Sequence, residues 1–187
     1  MKKLLSLVIV IAVACNQRAE LRLHDGKAVS TALPVFDLGD TKVDSLIEAW
    51  DIDVRPDGQG LPPGSALPAD GKLIYQQKCS NCHGVTGKEG PMGALVSAVP
   101  DTGRAKTVGN YWPYATTLFD YIRRAMPYNQ PGSLTNEEVY ALCAWILHQN
   151  QLIAEDFRLD QQSLPTIEMP AKKFYVPDDR TGGPTIR

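Results

Sequence analysis

Residues 135–150 carry the clearest hydrophobic pattern in the chain. Thr135-Asn136-Glu137-Glu138 has the form of a capping box, and Val139, Leu142, Trp145 and Ile146 follow at helical spacing, with Asn150 as a stop signal. A second helix is predicted from Asp70 to about Ser80, with Gly71, Ile74 and Tyr75 on the turns before Cys79. A third is predicted from Thr117 to about Ala125, with Leu118, Phe119, Tyr121 and Ile122, capped by Thr116 or Thr117. No stretch alternates in the manner of a β-sheet, and there are no repeats. The expected fold is all-α, with its core domain over residues 69–150.

The flanks have a different texture. Leu4 to Ala14 is an apolar run of 11 residues behind Lys2 and Lys3, too short to span a bilayer but of the length of a signal-peptide core. Ala12-Val13-Ala14-Cys15 is similar to a bacterial lipoprotein cleavage box, with Cys15 as the lipidated residue. Ala12 stands where Leu is usual, and cleavage after Ala12 or Ala14 is the alternative. Residues 1–14 are therefore expected to act as a signal peptide and the mature chain to be exported, periplasmic or held at the membrane by a lipid anchor only.

Residues 15–68 are expected to form a tether and an arm. Residues 16–33 are polar and irregular, whereas 34–68 are rich in Pro and Gly. Yet Val35, Phe36, Leu38, Leu46, Ile47, Trp50, Ile52 and Val54 are too apolar for a free linker. This arm is expected to be ordered, with a short helix near 42–49, lying on the domain or on a partner. Residues 151–187 form a C-terminal extension, closing in a strap at Tyr175-Val176-Pro177-Asp178-Asp179-Arg180.

Charge narrows the partners. Lys and Arg number 19 against 21 Asp and Glu. Loss of Lys2 and Lys3 with the leader leaves a mildly acidic chain, which argues against nucleic-acid or anionic-membrane binding.

Cys79-Ser80-Asn81-Cys82-His83 carries the chemistry. Two thiols three residues apart suit thioether bonds to the two vinyl groups of one haem c, and His83 is then placed to bind its iron. A zinc site would need two further ligands. Cys143 and His148 sit five apart in a predicted helix, about 140° apart around its axis, and do not converge. A redox dithiol would lie beside a βαβ pattern, and none is visible. Cys143 itself reads as a small buried core residue rather than a reactive thiol.

The opposite face of the iron needs a ligand. Met92 follows His83 too closely to cross the ring, and Met169 lies in the tail. Met126 has enough chain to cross over and sits between a helix end and Pro127, where its side chain can project. His148 is the alternative ligand. His/Met ligation raises the reduction potential and suits electron transfer; an open face would suit an enzyme or gas sensor instead. Tyr111, Trp112 and Tyr114 bring aromatic donors together for haem propionates or for the core, and Arg123 and Arg124 would neutralise a propionate, meet a partner or face solvent.

These residues together resemble a class I c-type cytochrome, with three to four helices around one covalently bound haem. The resemblance implies that the first and last helices cross at a Gly–aromatic contact, here Gly71 against Trp145. A narrower resemblance covers most of the mature chain. Ala49-Trp50-Asp51-Ile52-Asp53-Val54-Arg55-Pro56-Asp57-Gly58, the stretch Val108 to Pro127 and Ser133 to Ala141 are similar to cytochrome subunits of sulfite and sulfur dehydrogenases. That family implies a molybdenum-cofactor dehydrogenase subunit as electron donor and a soluble cytochrome or oxidase as acceptor. The cytochrome would then be non-catalytic alone but part of a sulfite dehydrogenase-type enzyme. The sulfur dehydrogenase subunit is typically longer and carries a second haem, whereas one CxxCH here leans towards a mono-haem subunit. A free-standing, lipid-anchored electron shuttle is the alternative.

Overall fold

Helix α1 (Asp44–Trp50) opens the part of the chain that the computed structural model describes, residues 44–97 and 106–176. The leader, Cys15, the tether, the apolar residues Val35 to Leu38 and the strap beyond Val176 lie outside the described residues. The described residues belong to one compact unit. After α1 come β1 (Ser65–Ala66), α2 (Pro68–Lys78), α3 (Ser80–His83), α4 (Val108–Tyr111), α5 (Ala115–Ala125), α6 (Asn136–Gln149) and β2 (Leu159–Asp160). Two 3-10 turns follow, Leu164–Thr166 and Pro170–Phe174.

The helices follow local chemistry, with shifted boundaries. Pro68 starts α2 two residues ahead of the expected Asp70, because Pro suits the first helical position and Asp70 accepts the Leu67 amide at 2.8 Å. In α6 the Thr135 hydroxyl accepts the Glu138 amide at 3.2 Å, while Glu138 accepts the Thr135 amide at 2.9 Å. Helix α5 begins at Ala115, earlier than the pattern suggested, with no side-chain cap from Tyr114. Thr116, expected as a cap, is buried on the core face instead. Helix α4 was not anticipated; four residues are too few to show a period. The β1–β2 pair corrects the expectation of no sheet: Ser65 and Ala66 face Asp160 and Leu159 antiparallel, in strands too short to alternate visibly.

Helices α2 and α6 pack closest. A Cβ on Gly71 would overlap the Ala141 carbonyl and come within 2.8 Å of Trp145 Cβ, so only glycine permits this approach. One turn later Tyr75 stacks on Trp145, ring centroids 3.9 Å apart. The expected Gly71–Trp145 crossing is therefore present.

The pattern of α6 predicted one apolar face, but every residue from Val139 to Leu147 is buried. The flanking segments cover its outer side. Tyr140 donates to the Pro62 carbonyl at 2.9 Å, and Leu159, Leu164 and Met169 join the same core. The arm is pinned to α5: the Val54 amide donates to Asp120 Oδ1 at 3.0 Å and Arg123 to the Ile52 carbonyl at 3.2 Å. Arg124 pairs with Asp120 one turn back. Both arginines thus serve the arm and its clamp. Cys143 is fully buried, and burial pushes its thiol far up, as befits a core residue. Among the described residues no helix is long and apolar enough to cross a membrane.

Replacing Gly71 by Ala forces α2 and α6 apart and is expected to cost about 1–3 kcal/mol. A lowered guanidinium midpoint with an unchanged slope checks this; an unchanged midpoint would show that the crossing tolerates a methyl group.

Candidate functional site

The Cys79–His83 segment hangs from the end of α2. Cys79 closes that helix through its amide, 2.9 Å from the Tyr75 carbonyl, and the chain then winds one more turn as α3. Gly84, at φ 81°, turns it away. Tyr75 braces this exit by donating to the Gly84 carbonyl at 2.8 Å. The position of the turn thus follows directly from the α2–α6 contact.

The loop after His83 folds back beneath it. The Met92 amide reaches the Cys82 carbonyl at 3.0 Å, and a Cβ on Gly90 would overlap that same carbonyl oxygen. Glu89 ties the loop internally, accepting the Thr86 amide at 3.0 Å and the Lys88 amide at 2.9 Å. These bonds, with that of the Thr86 hydroxyl, hold the exposed Glu89 carboxyl down to about 2 from an ordinary 4.5.

The loop then sets the imidazole. His83 Nδ1 lies 3.1 Å from the Gly93 carbonyl oxygen. A carbonyl only accepts, so in the neutral imidazole Nδ1 carries the proton and Nε2 has the lone pair that a metal would take. Cys79 is half-buried and Cys82 exposed. Burial pushes the Cys79 thiol up to about 11, the opposite of the depressed thiol of a redox CxxC. Among the described residues no group of three His, Cys, Asp or Glu side chains converges as a metal site. The donor set therefore fits haem attachment, with one oriented imidazole beside two thiols on a single turn.

The other sequence-predicted residues are spread over the domain. Met126 caps α5 in extended conformation and packs, half-buried, against the core. Met92 is exposed and Met169 is buried in the core. His148 Nδ1 lies 3.1 Å from the Ile153 carbonyl in the turn after α6. Trp112 is half-buried and meets Tyr121 edge-on at 5.7 Å. Tyr111 is exposed, with Tyr175 at 6.1 Å and the Lys106 ammonium 4.3 Å over its ring; Lys172 lies over Tyr114.

Two contributors escaped the sequence reading. The Gly93 carbonyl is backbone and has no residue signature. Asn150, read only as a stop signal, also accepts the Ser97 amide at 3.0 Å and donates to the Leu95 carbonyl at 3.2 Å. It fastens the end of the loop that follows His83 to α6.

A helix crossing at Gly71 and a Cys79–His83 turn hung from it define a cytochrome c domain. The family of cytochrome c oxidase, cbb3-type, subunit III matches residues 66–146. Among solved structures, a chain of the sulfane dehydrogenase SoxCD from Paracoccus pantotrophus is 37% identical, covering 78% of this chain and 73% of that one, with a TM-score of 0.66. No curated protein sequence matches significantly. The chain belongs to the class I c-type cytochromes and is an electron-transfer protein of the haem c type.

Acid tests the loop. The folded Glu89 carboxyl lies below its unfolded value, so its ties act fully above about pH 4.5 and are lost as pH falls through about 2. The Thr86 and Lys88 amides are expected to resist hydrogen exchange at pH 4 in the wild type and to exchange faster in Glu89→Gln. Equal exchange in both would refute the tie.

Proposed function

We propose that this chain is the mono-haem electron-transfer subunit of a molybdenum-dependent sulfite or sulfur dehydrogenase. The likeness to a chain of sulfane dehydrogenase, at 37% identity over most of both chains, carries this reading. Cys79 and Cys82 would hold one haem c through thioether bonds, with His83 on one side of the iron and Met126 on the other. The haem supplies a one-electron couple at the site. The Nδ1–Gly93 bond orients the ring and selects the neutral tautomer with Nε2 free, and the stacked α2–α6 crossing keeps the attachment turn in place. Trp112 and Tyr111 are assigned to the haem environment. In this reading residues 69–150 are the haem domain, flanked by the arm and a C-terminal extension. The mature chain is exported, periplasmic or tethered through Cys15, and passes electrons to a soluble cytochrome or oxidase.

The test is reconstitution. Sulfite, or a protein-bound sulfur substrate, added with the molybdenum subunit is expected to reduce the haem within the mixing time of a spectrophotometer. Recovery of the cytochrome as a lone monomer that neither substrate reduces would overturn the reading and favour a free shuttle. Met126→Ala is expected to abolish the far-red Met-to-iron band and lower the potential. An unchanged spectrum would remove Met126 from the iron.

A further inference from the structure

Among the described residues, helix α1 presents two large apolar side chains that nothing covers. Trp50 is 82% exposed and Ile47 53%, three residues apart and so neighbours on one helical face. A single exposed apolar residue is ordinary, but an exposed Trp beside an Ile on ordered backbone is the composition of a binding hot spot. The backbone here is held. The Asp51 amide bonds the Ile47 carbonyl at 2.7 Å, and the Ile52 amide bonds that of Trp50 at 2.9 Å. Immediately downstream, Arg123 and Asp120 clamp Ile52 and Val54 to α5. A side chain presented this way loses little further freedom on binding.

The chain that carries the face is acidic, although Arg123 reaches the Ile52 carbonyl beside it and Arg55 follows it. Asp44, Glu48, Asp51 and Asp53 lie along residues 44–54, which contain no Lys or Arg. Among the described residues, neither Asp44, Glu48 nor Asp51 enters an ion pair. Asp51 is held above the ordinary carboxyl range by the neighbouring Asp53, a crowding that a cationic partner relieves. The clamp joins this face to α5, the helix whose C-cap is Met126.

We propose that Ile47 and Trp50 form a knob that docks the dehydrogenase subunit, entering an apolar pocket rimmed by Lys or Arg on that partner. This rests on the reading of the chain as a dehydrogenase's cytochrome subunit. The acidic surround steers the encounter and the knob holds the complex. Docking there seats the partner on the helix that ends at the assigned iron ligand.

Calorimetric titration of the full-length, haem-loaded cytochrome into the purified molybdenum subunit, at low and high salt, tests the knob. Trp50→Ala is expected to weaken binding about 30-fold or more, the loss typical of a hot-spot residue. The double variant Glu48→Gln, Asp51→Asn is expected to weaken it less and to flatten its salt dependence. Neither variant should alter the haem spectrum, because these side chains are exposed. If wild type binds and is reduced while Trp50→Ala binds equally well, the knob is wrong and the functional reading stands. If wild type neither binds nor is reduced, both fall. Self-association of the wild type alone, lost in Trp50→Ala, would assign the face to a second copy of this chain and overturn the proposal.

Discussion

The close approach of α2 and α6 at Gly71 is the constraint on which the haem site depends. Without a Cβ at that position the two backbones come near enough for Tyr75 to stack on Trp145. Tyr75 lies one helical turn before Cys79 and bonds the Gly84 carbonyl just after His83. It therefore braces both ends of the attachment turn. The Cys79–His83 turn is thus positioned by a packing contact between aromatic side chains and bare backbone, with hydrogen bonds to the Gly84 and Gly93 carbonyls completing it. Such a contact is stiff, because a packed interior resists displacement, and a redox centre benefits from ligands that shift little when its charge changes.

A second layer completes what the short helices cannot. A helix apolar on all sides has to be enclosed, and α6 is enclosed by α2 and α5 within the domain and by the arm and tail outside it. Pro62 binds the Tyr140 hydroxyl, β1 pairs with β2, and Leu159, Leu164 and Met169 close the remaining side. The extensions are thus part of the core and not appendages to it. The same anchoring holds Trp50 in place at the surface, so the residues that finish the core also build the proposed docking face.

Legibility followed range. The α6 capping box was readable because its two hydrogen bonds join residues three apart, and the Cys79–His83 motif because its two Cys and one His fall within five positions. The start of α5 was misjudged because Thr116 has the chemistry of a cap, yet tertiary packing turned it into the core. Helix α4 and the β1–β2 pair left no period to detect. Arg123 and Arg124 look alike in sequence as solvated charges, and only the fold shows one holding the Ile52 carbonyl and the other the Asp120 carboxylate.

By itself the sequence determined the helical class, the presence of α2, α5 and α6, and the Cys79-Cys82-His83 motif, because these rest on residues within a turn or two of each other. The tertiary structure decided which nitrogen of His83 is free, through a carbonyl ten residues away, and which side of α6 meets the arm. It also left Trp50 uncovered. Those outcomes depend on backbone groups and distant segments meeting in space, and a backbone carbonyl is the same in every residue, so no pattern of side chains announces it.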